Sequence, residues 1–168
     1  MIVVADASPL IFLGKLGELD LITRVFPGTI LVPSTIQAEV LAAPIVPAEE
    51  QRLVTFLKSC KIERVSKSRH YATALSVADQ EALTLAVRRR ADLLLCDDRL
   101  LRELAVVEGI RPMGTLGVLL RAMEGGYLTR AAARRSVEQL VQIHQFRIGI
   151  EVYDKVMRRI EVEQGQAV

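Results

Sequence analysis

Apolar residues fall along this chain in two spacings. Short runs such as "IVVAD" (residues 2–6), "GTILVP" (28–33) and "DLLLC" (92–96) are apolar at consecutive positions. A strand apolar on both faces is what a parallel sheet covered on both sides requires. "KIERV" (61–65) and "IRPM" (110–113) read as shorter strands. The segments between them read as helices. "PLIFLGKLG" is a short helix with Ser8 as the expected cap and Pro9 at its first turn, and "LDLITRVF" is a second. "STIQAEVLA" opens on a possible Ser34 cap, and "PAEEQRLVTFLKSC" opens on Pro with acids in its first turn. "SVADQEALTLAVRRR" has Ser76 as cap, acids early and arginines late. "DDRLLRELAVVEG", "TLGVLLRAMEGG" and "TRAAARRSVEQLVQIHQF" follow as helices, the last capped by Thr129. "IEVYDKVMRRIEV" carries apolar residues at 150, 153, 156, 157 and 160, one helical face. This alternation predicts an α/β fold with a mainly parallel sheet and helices on both faces. Residues 1–162 read as a single domain, the helices from about 129 included, and 163–168 as a frayed tail.

Composition changes the picture little. The chain has 168 residues, 51% hydrophobic and 25% charged, with a net charge of +2. That is a globular composition, too mildly basic to imply nucleic acid by itself. Cys60 and Cys96 form no metal or disulfide pattern. No apolar stretch approaches the ~20 residues that span a bilayer. The start "MIVVADASP" lacks the basic region of a signal peptide, so a cytoplasmic location without membrane contact is expected.

The acids carry the candidate chemistry. In such a sheet, ligands bind beyond the carboxyl ends of the strands. Asp6 directly follows the first strand, and Asp97 and Asp98 directly follow "DLLLC". Asp79 and Glu81 lie in the first turns of a helix that starts at the same edge, and Glu39 lies on the helix after the second strand. The acids expected to converge are therefore Asp6, Glu39, Asp79 or Glu81, and Asp97 or Asp98. Structural roles compete: Asp79 fits a capping box with Ser76, and one of Asp97 and Asp98 suits a helix cap. A cap needs only one of that pair. Carboxylates gathered without cations repel one another, and a divalent ion reverses the balance. Oxygen donors without His or Cys select Mg²⁺ or Mn²⁺, which can activate water and stabilise charge in phosphoryl transfer.

"VVADASPLI", "QAEV", "ADQEALTLA", "LLLCDDRLLRELA" and "GTLGVLL" stand in the order and spacing of PIN-domain proteins. The chain resembles that family over roughly residues 1–125, and its helical remainder also looks like a PIN-like branch with the "ASPLI" start. The resemblance implies a three-layer α/β/α sandwich and an Mg²⁺- or Mn²⁺-dependent endoribonuclease, a hydrolase of phosphodiester bonds. Many relatives are VapC-type toxins of toxin–antitoxin pairs. The resemblance maps the family's four acids onto Asp6, Glu39, Asp79 or Glu81, and Asp97 or Asp98. Glu81 and Asp98 are the expected catalytic members of their pairs, beside Asp6 and Glu39, and all six are expected metal ligands. Ser8 would orient Asp6 or a water. The chain departs from the common pattern at both pairs. Acids two residues apart point about 200° apart on a helix, so one of Asp79 and Glu81 faces the metal. Asp97-Asp98 stands where many relatives carry a small hydroxyl residue.

Arg99 and Arg102 follow the acidic tip and are the expected RNA-phosphate contacts. Arg88-Arg89-Arg90 ends a helix, where cations suit the dipole, and reads as structural. Arg134-Arg135 and Arg158-Arg159 read as solvated faces, and His70 and His144 as surface or packing residues. Aromatics are only 4%, without Trp, so a base-stacking platform is not supported. A phospho-receiver would place its acid pair after the first strand and a Lys after a late one; "IRPMGT" has none. "GTLG" is neither a P-loop nor a dinucleotide fingerprint. The alternative that stays open is an interaction module with weak or no nuclease activity. "VPAEEQRLVTFLKSC" and the C-terminal helix are candidate faces for a homodimer or an antitoxin protein.

Overall fold

The computed structural model describes residues 1–42, 46–71 and 74–162; the expected tail, 163–168, lies outside them. Among the described residues, β1 (Ile2–Ala5) leads to α1 (Ala7–Leu16), α2 (Asp20–Val25) and β2 (Thr29–Pro33). Then come α3 (Ser34–Ala42), α4 (Pro47–Ser59), β3 (Lys61–Glu63), α5 (Val77–Arg89) and β4 (Leu93–Leu95). The order ends with α6 (Arg99–Val107), β5 (Pro112–Met113), α7 (Thr115–Glu124), α8 (Arg130–Gln142) and α9 (Ile150–Glu161).

The strands form one five-stranded sheet in the order β3-β2-β1-β4-β5, parallel throughout. Alternate residues of each strand serve opposite faces, as the two-residue period of a strand dictates. Val3, Ala5, Ile30, Val32, Leu93 and Leu95 pack against α1, α3, α4 and α7–α9. Val4, Leu31, Leu94 and Cys96 pack against α5 and α6. This is the three-layer α/β/α sandwich, and it explains why the strands read as unbroken apolar runs. Leu93, Leu94 and Leu95 are all fully buried, each contributing roughly 2 kcal/mol of transfer energy. The turn into β2 depends on Gly28: at φ +147°, an added Cβ would lie 2.1 Å from the Met1 carbonyl oxygen.

Two expectations need correction. Ser8 does not cap α1, because the helix begins one residue earlier, at Ala7, with Asp6 in the cap position. The helix expected to run through Phe146 stops at Gln142. The chain turns there, with Gln145 at φ 55°, and the Phe146 amide donates to the Leu140 carbonyl. Phe146 meets Phe12 edge to face, centroids 4.9 Å apart, a contact that a continued helix would forfeit.

α8 packs on α1 and α7, and α9 on α7 and α8. The Arg130 guanidinium ties α9 down by donating to the Ile160 and Val162 carbonyls, both at 2.6 Å. The apolar faces singled out for partners are used largely within the chain. Leu53, Phe56 and Leu57 of α4, and Val156, Met157 and Ile160 of α9, are buried in the core. Ile150 and Val152, at the start of α9, stay exposed. No helix among the described residues is long and apolar enough to cross a membrane.

Candidate active site

The sheet changes direction at its centre. From β1 the chain moves outward to β2 and β3, then returns to place β4 and β5 on the other side. The carboxyl ends of β1 and β4 are the switch point, where the crevice of an open parallel sheet lies. Asp6 and Asp97 are the acids that leave this point. Ala5 pairs with Leu95 in register, and the Asp6 amide donates to the Leu95 carbonyl at 2.9 Å.

Asp6 is only 3% exposed. Burial is the main cause that raises its carboxyl from the ordinary 3.8 to about 7. The charge of Asp79 pushes the same way, followed by Glu39 and Asp97, while a hydrogen bond from the Ala7 amide opposes them. One acid from each expected group thus lies in the field of Asp6. Among the described residues, no three His, Cys, Asp or Glu side chains stand as a ready-made metal cage. Carboxylates without a counterion between them repel, so an open arrangement is what electrostatics dictates.

Each acid is held by local chemistry. Asp97 accepts both the Thr115 amide and the Thr115 hydroxyl, each at 2.7 Å. These bonds cross from the tip of β4 to the start of α7. They and Arg102 favour its charged form, yet burial outweighs them and raises its pKa. Gly114 makes room: a Cβ there would lie 2.7 Å from Asp97 Oδ1. Asp79 forms a reciprocal capping box with Ser76, its own Oδ2 accepting the Ser76 amide at 3.1 Å. Capping and proximity to Asp6 therefore coexist in one residue. Cys96, between the acidic tips, is fully buried. Burial, then the charge of Asp6, raises its thiol far above the usual range, so it is packing, not a nucleophile.

Within each pair the two acids are held differently. Asp98 is exposed and caps α6, its Oδ1 accepting the Leu101 amide at 2.8 Å. Asp97 is the member of the pair whose charge figures among those raising Asp6. Glu81 accepts the Thr35 hydroxyl at the start of α3, and Asp79 contributes the largest charge effect on Asp6. Glu39 is exposed on α3, at the rim. The Ser8 hydroxyl makes no hydrogen bond among the described residues. Arg99 is 92% exposed at its side chain and pairs with Glu103 at 2.9 Å. His70 is exposed and His144 half-buried. Thr115 and Gly114 escaped the sequence reading. Their one signal was the "GTLGVLL" motif, which counted there toward the resemblance and as a rejected phosphate loop, without a role for either residue.

A family model described as "DUF3368: PIN domain" matches residues 2–162. No curated protein matches the chain. Among solved structures, it is similar to a PilT N-terminus domain protein from the hyperthermophilic archaeon Sulfolobus solfataricus P2. The TM-score is 0.57 at 16% identity, over 74% of this chain and 95% of that one. At that identity the likeness speaks to the fold alone.

Proposed function

This chain belongs to the PIN-domain family, and from that premise we propose that it is a divalent-metal-dependent endoribonuclease. Asp6 carries the reading: a buried carboxylate at the switch point, raised to about 7 by burial and three other acids. A site that gathers several carboxylates around a buried one favours a cation from outside. Its donors are all carboxylate oxygens, which fit Mg²⁺ or Mn²⁺. Asp6, Asp79 and Asp97 would hold the ion, with Glu39 at the rim. A bound ion there would supply a Lewis acid for activating water and stabilising phosphodiester charge.

The chain's own residues prepare the rest. Thr115 fixes Asp97 through two hydrogen bonds, and the Ser76 capping box fixes Asp79, so neither acid needs substrate to find its place. Arg102 is close enough to Asp97 to favour its charged form, and its guanidinium can meet a phosphate oxygen.

Incubation of an end-labelled single-stranded RNA with the protein in Mn²⁺, in Mg²⁺ and in EDTA tests the reading. Internal cleavage that needs the cation and disappears in Asp6→Asn supports it. Intact RNA after incubation with folded protein in both cations contradicts it and favours the interaction module. The proposal extends to a toxin acting in the cytoplasm, with an antitoxin protein as partner and a homodimeric state. Growth arrest on induced expression, relieved by Asp6→Asn, tests the toxin role, and sedimentation of the purified chain tests the dimer.

A further inference from the structure

A groove of about 640 Å³ opens beside Asp97. It is bounded by the first turns of α6 and α7 and by the segment 146–149 that leads into α9. Its charged residues are one carboxylate, Asp97, and three guanidiniums, those of Arg99, Arg102 and Arg147. Much of the remaining lining is apolar, including Leu116, Phe146 and Val152. Arg99 is engaged with Glu103. The guanidiniums of Arg102 and Arg147 form no ion pair or hydrogen bond among the described residues. Arg147 is not on a loose tail: its neighbour Phe146 is locked against Phe12, and α9 is tied down by Arg130.

We propose that this groove is the path of a single RNA strand leading away from the acids. Arg102 and Arg147 hold its backbone phosphates, and the apolar wall receives an unstacked base. The C-terminal helices then supply part of the substrate site. This rests on the ribonuclease reading and adds to it a path, a strandedness and a residue, Arg147. Planar guanidinium forks match phosphate oxygens, and neither of these two is engaged in an ion pair or side-chain hydrogen bond among the described residues. A ligand that reaches Asp97 through a cationic groove is an anion along its length. An apolar wall suits bases that are splayed out and offers nothing to a duplex, whose bases are stacked inside. An acidic peptide would share the charge, but only a nucleic acid would also deliver a phosphodiester to the acids at the groove's end.

Fluorescence anisotropy in EDTA, where no cleavage intervenes, tests this. A labelled single-stranded RNA is titrated at several salt concentrations into wild type, Arg102→Gln, Arg147→Gln and, as a control on exposed α8, Arg135→Gln. A blunt duplex of the same sequence and an acidic amphipathic peptide are the competing probes. The expected result is that Arg102→Gln and Arg147→Gln each weaken single-strand binding about 3- to 10-fold and flatten the salt slope by about 0.7. Arg135→Gln should bind as wild type does, and the duplex more weakly than the single strand. Wild-type affinity and slope in Arg147→Gln would overturn the inference, as would equal binding of the duplex. Binding of the peptide without binding of RNA would overturn it in favour of a protein partner. The two readings separate cleanly: RNA held through Arg147 but never cleaved in metal sinks the nuclease and keeps the groove. RNA cleaved with Arg147 irrelevant does the reverse.

Discussion

The two ends of α5 handle charge in opposite ways. At its carboxyl end stand Arg88, Arg89 and Arg90. Arg88 donates to the carbonyls of Ser66 and Lys67, and Arg89 to Glu63 Oε2 at 2.7 Å. Arg88 and Arg89 thus meet acceptors and stitch the 63–67 segment to the helix. At the amino end, the charge of Asp79 acts on the buried Asp6, with those of Glu39 and Asp97. Both ends suit the helix dipole. They differ in compensation. Charge that finds its partner inside the fold reads as structure, whereas buried charge of one sign reads as a place for a ligand.

Breaking the acidic end should have the largest effect. Asp6→Asn is expected to lower RNA cleavage by at least 100-fold in a labelled-RNA assay, since it removes the acid on which the other three converge. Next comes the pH dependence of the metal-free fold. The Asp6 carboxyl sits at about 7 in the folded chain against an ordinary 3.8, so between those values the folded state holds the extra proton. Stability should therefore fall as pH rises through that window and level off above it, by at most on the order of 4 kcal/mol. Urea unfolding in EDTA at about pH 5 and pH 8 reads this. Asp6→Asn should lose most of the slope and exceed wild type at the higher pH.

Smaller effects sharpen the contrast. Thr115→Val removes the hydroxyl from Asp97 and leaves the amide bond in place. A roughly 10-fold loss of cleavage is expected, with stability lowered by about 1 kcal/mol. Asp98→Ala removes a helix cap and should cost about 1 kcal/mol in urea unfolding while cleavage stays within a few-fold of wild type. Arg89→Gln at the compensated end should cost less than about 1 kcal/mol, because its guanidinium is half exposed.

Much of the framework was legible in the sequence. β1 and β4 announced themselves as apolar runs ending in acids, and Ser76 with Asp79 announced the start of α5. How each acid of a pair is held was not legible. Asp97 is anchored by Thr115, eighteen residues later, at the start of α7. Nothing near "CDD" encodes that bond. Likewise, no Gly or Pro marks the end of α8. Phe146 leaves the helix to meet Phe12, a partner more than a hundred residues away in the chain. Local pattern gave the elements, and long-range contacts decided which side chains they aim at the site.

The central claim is that the acids at the switch point of β1 and β4 hold a divalent cation. Calorimetric titration of Mn²⁺ into metal-free protein near neutral pH, in buffers of different ionisation enthalpy, tests it most directly. Wild type should bind with release of a fraction of a proton from Asp6, and Asp6→Asn should lose that binding. A folded wild-type chain that takes up no Mn²⁺, or an Asp6→Asn chain that binds it equally well, would contradict the account.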